Sequence, residues 1–261
     1  MTGVSSTVAK QYLKKYRNNL EEALDAYLSE ESSSKSTKRA LVKHDAALVK
    51  IFDDFVDPAD PQKIDINGTM NYLAALNIEP EHPKALFLAY LLKSPSVGVF
   101  EKQSFLDQWT MVKCKTLAQM TTFINSFYDD IIAGKSTVTI DDTPASFQNL
   151  YLFTFGFLME LQNQKLLDVE LAIDYWKLLF PLIIDDSAVL QRLDQWYEFV
   201  QTVHKRSFSK DSWSMFYLFV QDIMKPDPVG FSQYDEMASW PSVIDEYIEY
   251  LRENDLLPEK A

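Results

Sequence analysis

Apolar residues recur along this chain at helical spacing, and the alternation expected of strands is almost absent. In "RALVKHDAALVKIFDDFV", Leu41, Leu48, Ile51 and Phe55 fall on a common stripe. "TMNYLAALN", "HPKALFLAYLLKS", "KQSFLDQWTMVK", "TLAQMTTFINSFYDDII", "AVLQRLDQWYEFVQTVH" and "SKDSWSMFYLFVQDIMK" continue the helical pattern. "SFQNLYLFTFGFLMEL" is unusually aromatic and predicts a buried helix. In "LDVELAIDYWKLLF", Asp168 is placed as N-cap, with Glu170 in the first turn, where a carboxylate meets the positive end of the helix. Only "STVTIDD" alternates like a strand. The pattern predicts an all-α protein with about ten helices in its main domain.

The opening "VAKQYLKKYRNNLEEALDAYL" reads as two short helices. Asn19 and Glu22 have the spacing of a capping box, and Leu20, Ala23, Leu24 and Tyr27 then share one face. "SEESSSKSTK" is Ser-rich and has no apolar period, which marks a linker. The expected organisation is a helical segment over 1–30, a linker over 31–38, the main domain over 39–255 and a tail over 256–261.

Composition agrees: of 261 residues only six are glycine, too few for a turn-rich sheet protein. The formal net charge is −13, which argues against a DNA or RNA partner. From Phe231 to the C-terminus, eight acidic residues face only Arg252 and Lys260. That excess is either a solvated surface or a face for a basic protein. The single Cys114 cannot form a disulfide within the chain and suits a reducing compartment. The longest clear apolar run, "ALFLAYLL", is too short to cross a bilayer. A soluble intracellular protein with no membrane or nucleic-acid partner is expected.

Catalytic motifs are missing. The glycines are too scattered for a phosphate loop or a nucleophile elbow, and no zinc-protease motif occurs. His44, His82 and His204 sit in polar contexts and read as exposed, with no metal trio. "DPADPQKIDING" has some look of a calcium loop. Counted from Asp57, however, the third position is Ala59, the fifth Pro61, the sixth Gln62 and the twelfth Gly68. The oxygen ligands and the sixth-position glycine that calcium binding needs are absent, so an EF-hand-like scaffold without the ion is the expectation.

"YDEMASWPSVIDEYIEYL" poses a sharper question. Pro241 suits a helix start, and Val243, Ile244, Tyr247, Ile248 and Leu251 make a buried stripe. Asp245 falls off that stripe, in the first turn or so. Asp211 is placed similarly: Ser209 can cap, and Trp213, Phe216, Phe219 and Val220 supply the buried face. Each Asp alone is a favourable charge at a helix N-terminus. Two such starts brought together would make an acidic patch for Lys or Arg of a partner.

Three motifs in this order, "LDVELAIDYW", "HKRSFSKDSW" and "YDEMASWPSVIDEY", resemble the DCN-like family, named for defective cullin neddylation. The resemblance covers Arg39 to about Glu253, the potentiating-neddylation domain. The opening segment resembles the second and third helices of a ubiquitin-associated (UBA) domain, the chain starting at what would be its first loop. The family implies EF-hand-like helix pairs without calcium and no cofactor. It implies a scaffold-type co-ligase, not an enzyme, acting in cytoplasm and nucleus. Such a protein holds a cullin C-terminal winged-helix region beside the conjugating enzyme charged with the ubiquitin-like modifier. Cullin docking would fall to Asp211, Ser239 and Asp245, with Ser239 where the family has Ala and Trp240 as a buried anchor beneath.

The conjugating enzyme would insert its N-acetylated methionine into an apolar pocket. The resemblance places in its lining Ile66, Leu73, Ala85, Leu88, Ala89, Leu92, Val97, Phe100, Phe157, Tyr175 and Leu178, with no acid to pair with a free ammonium. An apolar stripe of this kind is otherwise ordinary core. The competing function is a ubiquitin-binding adaptor working through the UBA-like segment, with ubiquitin or a ubiquitin-like modifier as partner.

Overall fold

The computed structural model describes residues 44–159 and 163–258. The chain divides into two units, residues 1–44 and 45–261. The Asn19 cap, the face made by Leu20, Ala23, Leu24 and Tyr27, the Ser-rich linker and Leu41 lie outside the described residues. Within the second unit ten α-helices are described, as the apolar spacing predicts. They are α1 (Ala46–Asp53), α2 (Ile66–Ala75), α3 (Lys84–Leu91), α4 (Lys102–Met111) and α5 (Leu117–Ile132). Then follow α6 (Phe147–Phe157), α7 (Val169–Leu179), α8 (Ser187–Phe199), α9 (Lys210–Phe219) and α10 (Ser242–Glu253).

Short polar side chains set the helix starts. Asp45, Asp65, Thr116, Ser146, Asp168, Asp186 and Ser209 each accept a backbone N–H of the helix they precede. Each such bond satisfies a donor that the helix itself leaves orphaned. Asp45 as cap starts α1 later than the apolar stripe suggests. Leu48 and Phe52 are its buried residues, while Phe55 lies beyond its end.

Three two-residue antiparallel ladders complete the unit, two of which the alternation rule does not find. The hairpin Thr139–Ile140 (β3) with Thr143–Pro144 (β4) is the "STVTIDD" signal. Its turn residues Asp141 and Asp142 both have positive φ, as a two-residue hairpin turn of this hand requires. The other two join loops. Lys63–Ile64 (β1) pairs with Phe100–Glu101 (β2), linking the α1–α2 loop to the α3–α4 loop. Leu166–Leu167 (β5) pairs with Phe208–Ser209 (β6), linking the α6–α7 loop to the α8–α9 loop. These two ladders tie the helix–loop–helix units together in two pairs, loop to loop. In the first loop the Asp57 and Asp60 carboxylates accept from Ala59 N and Gln62 N. The Lys63 ammonium faces both, at 3.9 and 3.7 Å. The protein's own cation therefore sits against the acids considered for calcium.

The core of the second helix–loop–helix pair is aromatic and internally hydrogen-bonded. The Tyr151 hydroxyl (α6) donates to the Trp213 carbonyl (α9) at 2.9 Å. The Trp213 indole donates back to the Tyr151 carbonyl, also at 2.9 Å. The Trp176 indole (α7) donates to the Tyr151 hydroxyl at 2.9 Å. All three side chains are fully buried, and the Tyr151 and Trp213 rings stack at 4.5 Å. Burial pushes the Tyr151 pKa far above the usual phenol range, so the hydroxyl stays a neutral donor. Tyr151→Phe strands the Trp176 indole N–H in the core and removes the added bond to the Trp213 carbonyl. Equilibrium unfolding should show a loss of roughly 2–4 kcal/mol.

Candidate partner-binding sites

Between the two helix–loop–helix pairs lies a cavity of about 410 Å³. Helices α2 and α3 and the segment before β2 form one wall, and α6 and α7 the other. Ile66, Leu73, Ala85, Ala89, Val97, Phe100, Phe157, Tyr175 and Leu178 line it, nine of the eleven expected residues. Leu88 and Leu92 do not line it. They are 0% and 1% exposed and belong to the core. The reason is helical phase: Ala85, Leu86 and Ala89 turn one face of α3 to the cavity, and Leu88 lies round the helix on the side facing the interior. Leu92 follows it one turn on, as the C-cap.

The remaining lining residues are Thr69, Met70, Pro80, Glu81, His82, Leu86, Ser94, Gly98 and Asp174. Thr69, Met70 and Leu73 follow Ile66 on one face of α2, a signal present in the spacing. Thr69 and Ser94 were hidden by their polarity, but both are satisfied internally. Thr69 Oγ1 donates to the Gly98 carbonyl at 3.0 Å, and Ser94 Oγ lies 2.6 Å from the Val99 carbonyl. What they leave for a ligand is largely apolar surface.

Glu81 and Asp174 overturn the expectation of an acid-free lining. Both are exposed, at the mouth. Asp174 stands one turn before Leu178 on α7, so the face that brings Leu178 to the cavity brings Asp174 as well. Tyr175 is half-buried, and its hydroxyl makes no hydrogen bond among the described residues. Burial, then the Asp174 charge, raise its pKa, so it remains a donor. A second cavity of about 420 Å³ shares Val97, Phe157 and Tyr175 with the first.

The acidic positions lie elsewhere. Ser209 caps α9, its hydroxyl accepting from Ser212 N at 3.1 Å, and Asp211 is exposed in the first turn. In α10 the stripe Val243, Ile244, Tyr247, Ile248 and Leu251 is buried as predicted, with Asp245 in the first turn. Asp245 is half-buried, and the Tyr234 hydroxyl donates to it at 2.5 Å. Burial and then this bond raise the Tyr234 pKa. Ser239 is exposed. Trp240 is half-buried, not fully covered as expected, its ring set edge-on to Phe219 at 5.7 Å and stacked on Tyr234 at 6.5 Å.

Among the described residues no hydrogen bond or ion pair joins Asp211 directly to Ser239 or Asp245. The segment entering α9 is instead tied to α10 through Glu246. This carboxylate accepts from Arg206 at 2.5 and 2.7 Å and lies 2.9 Å from His204 Nδ1. Burial disfavours its charge, but Arg206 and His204 outweigh that and hold it below the usual carboxylate range. His204 is accordingly not the exposed residue its polar context suggests. Its side chain is 7% exposed and packs beside Phe199 and Phe208.

Comparison with known proteins bears on both sites. A family described as "Cullin binding" matches residues 131–250, and a "UBA-like domain" family matches residues 1–34. Defective in cullin neddylation protein 1 of Candida albicans is 42% identical, covering 98% of this chain and 96% of its own length. Its namesake in Yarrowia lipolytica is 34% identical, covering 97% and 93%. The namesake in Cryptococcus neoformans is 31% identical, covering 97% and 91%. The chain belongs to the family of Defective in cullin neddylation protein 1. The cullin-binding match contains Asp211, Ser239 and Asp245 and, in the cavity, Phe157, Tyr175 and Leu178. The α2–α3 wall of the cavity lies outside that match but within the span shared with these family members.

Gly98 offers a direct test of the cavity mouth. Its φ is +74°, and an added Cβ would collide with the Ile66 side chain. Gly98→Ala should lower stability by roughly 1–2 kcal/mol in denaturant titration and narrow the mouth.

Proposed function

We propose that this member of the family is a scaffold-type co-ligase for cullin neddylation, with no catalytic residues of its own. Asp211 and Asp245, with Ser239 beside Asp245 in the sequence, dock a basic face of a cullin C-terminal winged-helix region. The cavity takes the acetylated N-terminal methionine of the conjugating enzyme. Thioester chemistry stays on that enzyme, and the gain in rate comes from proximity and orientation. The observation that carries this reading is the preformed cavity between α2, α3, α6 and α7, whose lining is mostly apolar. Seating a methionine there is worth roughly 1.5–3 kcal/mol.

Acetylation matters because an ammonium taken into such a lining loses its water. Glu81 and Asp174 at the mouth offset part of that cost, but as exposed groups they are screened by solvent and salt. An acetyl amide needs only hydrogen bonds, and Tyr175 has a hydroxyl to offer. Calorimetry with a conjugating-enzyme N-terminal peptide should give tighter binding for the acetylated form. Glu81→Gln combined with Asp174→Asn should weaken the free-amine peptide more than the acetylated one. Equal affinities for the two peptides would mean that the cavity is not the acetyl-methionine site. Ala89→Arg should fill the cavity and block the peptide while sparing the docking face.

Asp245→Asn keeps an acceptor for Tyr234 and removes only the charge. Binding of a cullin C-terminal fragment should weaken by about tenfold or more and lose part of its salt dependence. Asp245→Lys, which turns attraction into repulsion, should abolish it. Ser239 adds only a hydroxyl to the expected Ala and should be tolerated.

The UBA-like match over residues 1–34 favours a second activity, binding of ubiquitin or a ubiquitin-like modifier. Titrating ubiquitin into the full chain and into a chain lacking residues 1–31 tests it: binding only to the former supports an adaptor role.

A further inference from the structure

Met237 is 91% exposed, the highest value for any large apolar side chain among the described residues. It lies two residues before Ser239 and eight before Asp245. A single exposed apolar residue is ordinary. What distinguishes this one is how firmly its turn is held. Asp235 Oδ1 accepts from Met237 N at 2.9 Å, and Ala238 N donates to the Asp235 carbonyl at 3.1 Å. Trp240 N donates to the Ala238 carbonyl at 2.9 Å. Glu236, the preceding residue, accepts from Arg252 on α10 at 2.6 Å.

The start of the same segment is braced by Arg192 of α8, a buried cation. Its guanidinium donates to the Pro228 carbonyl at 2.6 Å and the Val229 carbonyl at 3.0 Å, and lies 5.1 Å over the Phe231 ring. The Arg192 carbonyl accepts from the Tyr247 hydroxyl of α10 at 2.8 Å. Asp227 accepts from Gly230 N and Ser232 N, at 2.9 and 3.1 Å. Those bonds, the Gly230 one foremost, hold its carboxyl below the usual range. The segment from Pro228 to Trp240 is thus fastened to α8 and α10 along its length, and Tyr234 fastens it to Asp245.

We infer that Met237 is an apolar knob of the acidic docking face. It enters a recess on a basic partner surface, which the reading above identifies as the cullin C-terminal region. The inference rests on that docking reading. Two features choose the occupant. The knob is continuous in sequence and bonding with Ser239, Trp240 and Asp245. From Asp235 to Asp245 there are three acids and no Lys or Arg, so the rim of the recess must be basic or neutral. The two kinds of residue divide the work. The acids supply steering and salt dependence, and the methionine supplies apolar burial, which salt does not screen. Because the backbone of the turn is already ordered, little conformational entropy is lost on docking.

The test is titration of the full chain with a cullin C-terminal fragment at several salt concentrations. Met237→Ser should weaken binding about tenfold and keep the wild-type salt slope. Met237→Leu should stay within about threefold of wild type. At this exposure neither change should move the melting temperature. A Met237→Ser variant that binds like wild type, while Asp245→Asn is weakened, overturns the knob and leaves the docking face standing. A Met237→Ser variant whose salt slope changes also overturns it. If Asp245→Asn too binds like wild type, or if the unaltered protein does not bind the fragment, the docking reading itself fails and the inference falls with it.

Discussion

The exchange of hydrogen bonds among Tyr151, Trp176 and Trp213 fixes three helices at one buried point. Besides the β5–β6 ladder, which joins the segments before α7 and α9, the three helices meet through apolar packing, which alone does not define a register. With the exchange, each helix has one depth and one rotation. That constraint reaches both candidate sites. Phe157 ends α6, Tyr175 and Leu178 lie on α7, and Asp211 opens α9. A cavity wall and the helix that carries Asp211 therefore depend on the same three side chains.

Each site handles its polar groups differently. In the cavity Thr69 and Ser94 turn their hydroxyls to backbone carbonyls, which leaves an apolar lining with charge only at the mouth. On the acidic face, carboxylates are assigned to separate tasks. Glu246 is consumed by Arg206 and His204 and ties the entry of α9 to α10. Asp245 is steadied by one hydroxyl, and Asp211 stays in solvent. Of these carboxylates Asp245 is held by a hydrogen bond, so its charge would meet the basic surface of the proposed docking at low ordering cost.

Much of this was legible in the sequence, for physical reasons that differ by element. Capping chemistry placed Asp168 and Ser209 correctly because a helix start is a local event. The stripe in α10 was legible because its apolar period is unbroken from Val243 to Leu251. Individual lining positions on α3 were not. "ALFLAYLL" is apolar on every side, so spacing cannot say which residues face the cavity, and Leu88 and Leu92 were misplaced. Asp174 was overlooked because apolar neighbours dominate the reading of α7, although its spacing from Leu178 was there to be read. The burial of His204 and the bond from Tyr234 to Asp245 depend on contacts 42 and 11 residues apart, which no local pattern encodes. The loop–loop ladders are two residues long, too short for alternation to register.

The central proposal is that two partners are held at once on separate surfaces of one unit. Calorimetry of a cullin C-terminal fragment against the protein already saturated with acetylated conjugating-enzyme peptide tests it most directly. The account predicts the same cullin affinity, within about twofold, with and without the peptide. Mutual exclusion, in which the peptide abolishes cullin binding, would contradict it.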